Sequence, residues 1–552
     1  MSSRAVKKLY GQESDLLGND RVKEEDDSSE EEEDVGPAKP NLFALLNAGG
    51  DDNDDEEEES EKEEPVEAAK PAVETTTSKS KKKKKKKNKK KKKKGGNDGE
   101  EEEDIDKILE ESMKKASLDG SKEPQYFKFL QVDTRHLDYE REFRQLFGND
   151  AIERDVDGGN SIFPPATSQP PKDWGGRDGR SIPGTSRKLV LTKIKPHFYP
   201  VLRRDILMEE IRGEVDEPGT TEFKFVHSEQ YKACQNTFNL LTMMSSDPQT
   251  ILNHVLPKSF YHVPTLLIIA ENLVQTGQHS EAADMLERCL LVYDRALRSN
   301  FSFQSGKCRL PFKYFENRGF YLVVFKYIKT LMRRGTWLTA FEFDKLLWSL
   351  SPNQDPYGAG YMIDFFAMNA AEYEYIIDLG DDPHFQSVRS ARPNLFYSRA
   401  LAYHKKNPMD HKTTKQLLRT AVSKFPWVAS DLLRGYFQHD YEVFPEQAIL
   451  SGLYVVQMTT FWDNDSQLIK LLKQVCDDPS LKLDPVPQPL EDDVSVDIVR
   501  YALLSEQKEV FSLIPKHYLE GEMWADDLIP PQDDISPYPQ RGSISRDDIV
   551  TD

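Results

Sequence analysis

Cysteine is scarce and long apolar runs are missing. Four cysteines, Cys234, Cys289, Cys308 and Cys476, are spread over 552 residues, and none forms a C-x-x-C pair. That spacing speaks against a zinc knuckle or a dithiol redox motif and fits a reducing compartment. The longest apolar stretches, residues 265–270 and 320–325, fall far short of the ~20 residues that cross a bilayer. Residues 1–17 contain no apolar core of the kind a secretory leader needs. A soluble intracellular protein without a membrane partner is expected. The phosphate loop G-x-x-x-x-G-K-[ST], the dinucleotide fingerprint, H-E-x-x-H and G-x-S-x-G are all missing. His227, His254, His262 and His279 stand singly among apolar neighbours and read as satisfied structural histidines. Asp381–Asp382 and Glu209–Glu210 read as solvated acids. No catalytic, metal or cofactor-binding residue is assigned, no small-molecule substrate is implied, and the chain reads as a non-enzyme.

Charge is what the chain has in excess. Hydrophobic residues make up 37% of it, against roughly 45–50% in typical domains. Charged residues make up 31%, with a net charge of -21. The charges are segregated. Residues 22–34 and 51–64 are acidic, and Ser28 and Ser29 are embedded in the first block, a context that suits an acidophilic kinase. Between the blocks lies an apolar island built on Leu42, Phe43, Leu45 and Leu46. It reads as a short linear motif that folds on a partner, or as a chance cluster. Then follow Lys81, Lys82, Lys83, Lys84, Lys85, Lys86, Lys87, Lys89, Lys90, Lys91, Lys92, Lys93 and Lys94. Like charges repel, so this block cannot join a core. It can neutralise nucleic-acid phosphates without reading sequence, serve as a nuclear-import signal, or offset the flanking acids. Residues 1–120 are predicted to be disordered.

Residues 121–186 are predicted to be partly ordered. Within 133–148, Leu137, Phe143, Leu146 and Phe147 can share one helix face that stops at Gly148. Residues 162–183 read as a Pro/Gly-rich linker containing Trp174.

Residues 187–520 are predicted to form an all-α domain of stacked helical hairpins. Residues 280–293 place Ala282, Met285, Leu286, Cys289, Leu290 and Tyr293 on one face of a 3.6-residue period. Glu281, Asp284, Glu287 and Arg288 fall opposite, Asp284 can reach Arg288 four residues on, and Ser280 is the expected N-cap. A helix at 266–274 precedes it across a turn at Gly277. The arrangement recurs with helices at 321–332 and 340–350 around Gly335. Each turn glycine is followed five residues later by alanine, Ala282 and Ala340, which lets the second helix approach the first. This resembles the tetratricopeptide repeat, but the spacing is too wide for its 34-residue period. An α-solenoid-like array with insertions is expected, since one hairpin cannot bury its own apolar face. Further helices are predicted at 364–379, 394–403, 415–425, 466–475 and 494–513, with a flexible tail over 521–552. Lys326, Lys329 and Arg333 fall at i, i+3 and i+7 and read either as a solvated face or as a phosphate-facing stripe.

These pieces, taken in order, resemble the transcription factor twenty-five family, which includes the ribosome quality control complex subunit one of fungi. The resemblance is carried by the island at 41–47, the lysine block, Leu146-Phe147-Gly148, residues 186–191, 225–238, 261–267 and 311–318, Trp348-Ser349-Leu350-Ser351-Pro352 and Phe425-Pro426-Trp427-Val428. It implies a non-catalytic adaptor on the large ribosomal subunit and its rRNA. The implied partners are a ribosome-bound E3 ubiquitin ligase that installs lysine-48-linked chains on stalled nascent chains, possible contact with ubiquitin itself, and a AAA ATPase segregase. The implied localisation is cytoplasmic and ribosome-associated. The older family name implies a nuclear transcriptional regulator as the alternative.

Overall fold

Alternating apolar and polar stretches fold here into helix pairs that bury their shared faces. The computed structural model describes residues 125–148 and, with short breaks, residues 176–539. The disorder expected over 1–120, the lysine block and the apolar island lie outside the described residues. Two 3₁₀ turns, Gln125–Leu130 and Thr134–Leu137, precede helix α1 (Tyr139–Phe147). Strands β1 (Ile206–Glu210) and β2 (Thr221–His227) pair antiparallel, with Ile206 opposite His227, and a two-residue β3 (Cys308–Arg309) adds in parallel beside Thr221. The helical body comprises α2 (Glu229–Met244), α3 (Pro248–Val255), α4 (Val263–Gln275), α5 (His279–Ala296), α6 (Phe315–Arg334), α7 (Trp337–Leu350), α8 (Ile363–Asn369) and α9 (Tyr373–Asp381). It continues with α10 (Pro383–Gln386), α11 (Pro393–Lys406), α12 (His411–Lys424), α13 (Pro426–Leu432), α14 (Pro445–Asp463), α15 (Ser466–Cys476), α16 (Val496–Ser505), α17 (Lys508–Phe511) and α18 (Lys516–Glu520).

Helices α4 and α5, and α6 and α7, are the two expected hairpins; the helices predicted at 394–403 and 415–425 pair as α11 and α12, and α5 packs on α6 so that the first two hairpins share a core. Gly277 and Gly335 take φ of +80° and +72° in the turns, the left-handed region that only glycine enters freely. Gly335 also caps α6, its N–H reaching the carbonyls of Leu331 and Met332. Ala282 and Ala340 are buried, as the hairpin geometry requires. At the centre, Phe225 of β2, Tyr293 of α5 and Phe320 of α6 form a mutual cluster with ring centroids 4.8–5.6 Å apart. The fold is thus an all-α helical repeat domain with one small sheet under its first hairpins.

Several expectations are corrected. Helix α5 starts at His279 and not behind a Ser280 cap, and no side chain caps it. Asp284 pairs with Arg288 as expected, but Glu287 and Arg288 on that polar side are buried, with Lys195 and Arg334 reaching Glu287. Residues 364–379 split at Ala371, whose φ is +60°, and the helix over 494–513 breaks at Glu506, whose φ is +58°. Leu137 is buried, whereas Leu146 and Phe147 are more than half exposed, so the four residues share no buried face. Helix α14 has no counterpart among the predicted helices. Its apolar residues run round the whole circumference, which erases the period a sequence reading depends on. The tail expected to be loose is held by its side chains at 527–538. Asp527 and Asp534 pair with Arg318, Arg500 donates to the carbonyls of Leu528 and Ile529, and Tyr538 is buried.

Candidate macromolecular interface

The segment before the linker is built into the hairpins by its acids. Glu142 of α1 caps α7, accepting from the amides of Leu338 at 3.0 Å and Thr339 at 2.8 Å and from the Thr339 hydroxyl at 2.7 Å. This is an anion at a helix N-terminus, where exposed N–H groups and the helix dipole favour it. Tyr139 stacks under the Arg334 guanidinium at 4.2 Å. Lys195 is set between Asp284 at 3.2 Å and Glu287 at 2.8 Å. Burial raises the Asp284 carboxyl, but the His197 hydrogen bond and the cations Lys195 and Arg288 outweigh it and hold the group below its ordinary range.

The stripe on α6 is present, and two of its three cations are engaged. Lys326 pairs with Glu271 of α4 at 2.5 Å. Lys329 donates to the Leu504 carbonyl at 2.8 Å and meets Glu506 at 3.2 Å. Arg333 stays exposed, 3.4 Å from His279 Nδ1. The acids come from other helices, so spacing along α6 gives no sign of them.

Two buried arginines clasp the tail. Arg318, 2% exposed, meets Asp527 at 2.8 Å and Asp534 at 2.6 Å. Ile535 exchanges backbone bonds with Lys313 at 2.8 Å and with Phe315 at 3.0 Å. Tyr538 lies 2.6 Å from His227 Nδ1. Burial, with Lys232 adding, lowers His227 to about 3, so its ring is neutral near pH 7. His262 is likewise lowered to about 3, by burial first and His227 second, and hydrogen-bonds Thr265 and Gln235. His254 and His279 are exposed, which corrects the expectation for those two.

A recess of about 230 Å³ lies among Asp355, Tyr361, Arg392, Glu446, Asp497 and Tyr501. Asp355, at φ +50°, accepts from the amides of Ala359 and Gly360 and pairs with Arg392 at 2.5 Å. Asp497 pairs with Arg500, and Glu446 accepts from the Ser495 amide. These acids and bases satisfy one another, so what the recess offers is polarity. Among the described residues no cluster of three or more His, Cys, Asp or Glu could hold a metal, and no helix is long and apolar enough to cross a membrane.

Arg318, Asp355 and Glu142 carry these sites, and sequence reasoning singled out none of them. Only Asp355 had a local sign, the turn-forming Pro352-Asn353-Gln354-Asp355.

The family model described as "Transcriptional repressor TCF25" matches residues 223–531, from β2 to the clasped tail. The chain is 26% identical over 470 residues to "Ribosome quality control complex subunit 1" of Saccharomyces cerevisiae, covering 73% of this chain and 65% of the relative. It is 28% identical over 447 residues to "Ribosome quality control complex subunit TCF25" of Homo sapiens, covering 74% and 62%. To the "Probable transcription factor claV" of Ampulloclitocybe clavipes it is 27% identical over 439 residues, covering 68% and 55%. The chain thus spans less than two thirds of the length of these relatives. No solved structure matches.

Proposed function

Because the chain belongs to the Tcf25 family, we propose that it is a non-catalytic adaptor of the ribosome quality control complex. In this reading it sits on the large ribosomal subunit that carries a stalled nascent chain. It promotes lysine-48-linked ubiquitination of that chain by the ribosome-bound E3 ligase, with possible direct contact to ubiquitin, and recruits the AAA ATPase that extracts it. The lysines of 81–94 contact rRNA phosphates, and the island at Leu42, Phe43, Leu45 and Leu46 is a docking motif. The setting is cytoplasmic.

The observation that carries the reading is that relatives named as ribosome quality control subunits match across most of the chain. A body of stacked hairpins, whose surfaces suit macromolecular partners, supports it. The test is sedimentation of the endogenous protein through a sucrose gradient at low and high salt. Co-migration with the large subunit that disappears at high salt is expected. Protein found only at the top of the gradient at both salt concentrations sinks the proposal. A second reading, a nuclear regulator using the lysines of 81–94 as an import signal, is favoured by the family's description and by the name of the Ampulloclitocybe relative. Nuclear signal that depends on those lysines, with no ribosomal material, selects it.

A further inference from the structure

Among all the serines and threonines of the chain, only Ser351 and Ser536 are followed by proline. Pro352 is buried past the end of α7, whereas Ser536 and Pro537 are both exposed. Ser536 stands in the clasped tail, between two residues that hold the tail to the body. Ahead of it, the Ile535 amide donates to the Lys313 carbonyl at 2.8 Å, and the Ile535 carbonyl accepts from the Phe315 amide at 3.0 Å. Behind it, Tyr538 is buried, its ring 5.1 Å from that of Phe315 and its hydroxyl 2.6 Å from His227 Nδ1. Ser536 Oγ accepts from the Tyr538 amide at 3.2 Å, the local turn a serine hydroxyl forms with the amide two residues on. The hydroxyl that aims Tyr538 into its slot therefore belongs to a residue open to solvent.

The clasp is held under strain. Ile529 takes φ of +45°, a conformation a β-branched residue adopts only when its surroundings impose it. Arg500 imposes it, donating to the Ile529 carbonyl from Nη2 at 2.6 Å and from Nε at 3.1 Å. Release of the tail relieves that strain. The clasp is also short of positive charge. One guanidinium, Arg318, serves both Asp527 at 2.8 Å and Asp534 at 2.6 Å, and Lys313 turns its ammonium to Asp216 at 3.9 Å. Further negative charge on the tail, two residues from Asp534, burdens an acid that already shares its cation.

We propose that Ser536 is a phosphorylation site for a proline-directed serine kinase, and that its phosphate releases the tail from the body. In the transfer, Ser536 Oγ bonds to the γ-phosphorus of a nucleoside triphosphate as the bond from that phosphorus to the bridging oxygen breaks. The hydroxyl proton passes to the kinase's base, and the nucleoside diphosphate leaves. A kinase grips its substrate as an extended peptide on both sides of the serine. The docked tail withholds Ile535 and Tyr538, so the released tail is the substrate. The product carries a charge of about −1.5 to −2 at pH 7. That charge repels Asp534 and sits on the oxygen that receives the Tyr538 amide, so it opposes redocking. Phosphorylation traps the open form and bares the slot between Phe315 and His227. The device is independent of the ribosomal reading.

The test treats the full-length protein with a purified proline-directed kinase, ATP and magnesium, and maps phosphate by mass spectrometry. Phosphate on Ser536 is expected, and it should be lost in Pro537→Ala. It should form about fivefold faster in Asp534→Asn, which loosens the tail while Asp527 still holds Arg318. Hydrogen exchange of residues 528–538 should rise about tenfold on phosphorylation, the order expected for a dianion added beside a carboxylate in a solvated setting. Ser536→Ala, compared before and after the same treatment, should show no rise, which assigns the effect to this one phosphate. A Ser536 left unmodified in both the parent and Asp534→Asn overturns the proposal. So does a phosphorylated Ser536 whose tail keeps or gains exchange protection, and so does equal modification of Pro537→Ala.

Discussion

Asp344 lies in the middle of α7 with no exposed surface, and neither of its carboxylate oxygens finds a hydrogen-bond partner among the described residues. Burial raises its pKa well above 3.8, and the charges of Asp355 and Asp364 push in the same direction. The folded state therefore binds the proton more tightly than the unfolded chain does. Stability from this group is fully present below 3.8 and is lost as pH rises from there toward the folded-state value. Replacement by leucine, which keeps the branched four-heavy-atom skeleton with bulkier methyl ends, removes both the unpaired polar atoms and the proton. An unsatisfied buried polar group costs about 1–3 kcal/mol, which sets the expected gain of Asp344→Leu at pH 4. Each further pH unit adds up to about 1.4 kcal/mol to the gap between variant and parent, because one proton must be released on unfolding. The assay is urea unfolding of both proteins at intervals from pH 4 to 7. Subtracting one curve from the other cancels every other titrating group that keeps its surroundings. A gap that stays flat with pH would show Asp344 ionised in the fold, and a variant less stable than the parent would show a partner that the geometry lacks. Either result refutes the reasoning.

Three further outcomes follow from the same packing. A Cβ added at Gly335 meets nothing within 4 Å, so Gly335→Val should cost only backbone strain, about 1–2 kcal/mol, and an unchanged denaturation midpoint would count against the left-handed turn. Ala282→Phe should overpack the first hairpin by about 1–3 kcal/mol, and parental stability by calorimetry would place that face in solvent. Arg318→Met should leave Asp527 without its cation, cost about 3–5 kcal/mol and open residues 526–539 to proteolysis. In that background Asp527→Asn should recover part of the loss, and digestion at the parental rate would show that the clasp does not hold the tail.

The hairpins around Gly277 and Gly335 were legible because their information is local. A 3.6-residue period, a turn glycine and a small residue after it all lie within about thirty residues of chain, and every one of them survives folding. Helix α14 and the kinks at Ala371 and Glu506 were not legible. The first has apolar residues on all sides, and the other two depend on backbone angles that non-glycine residues adopt only when their surroundings impose them. The α6 stripe was legible as a spacing, but its meaning changed once Glu271 and Glu506 arrived from other helices.

Composition and periodicity alone thus determined a helical-repeat body with segregated charge and no recognised catalytic motif. Only the tertiary structure decided which charges remain for partners. Ion pairing depends on side chains meeting within about 4 Å, and residues as far apart in sequence as Arg318 and Asp534 meet only when the chain is folded. The same folding hid Glu287 and Arg288 and bound the tail to the body.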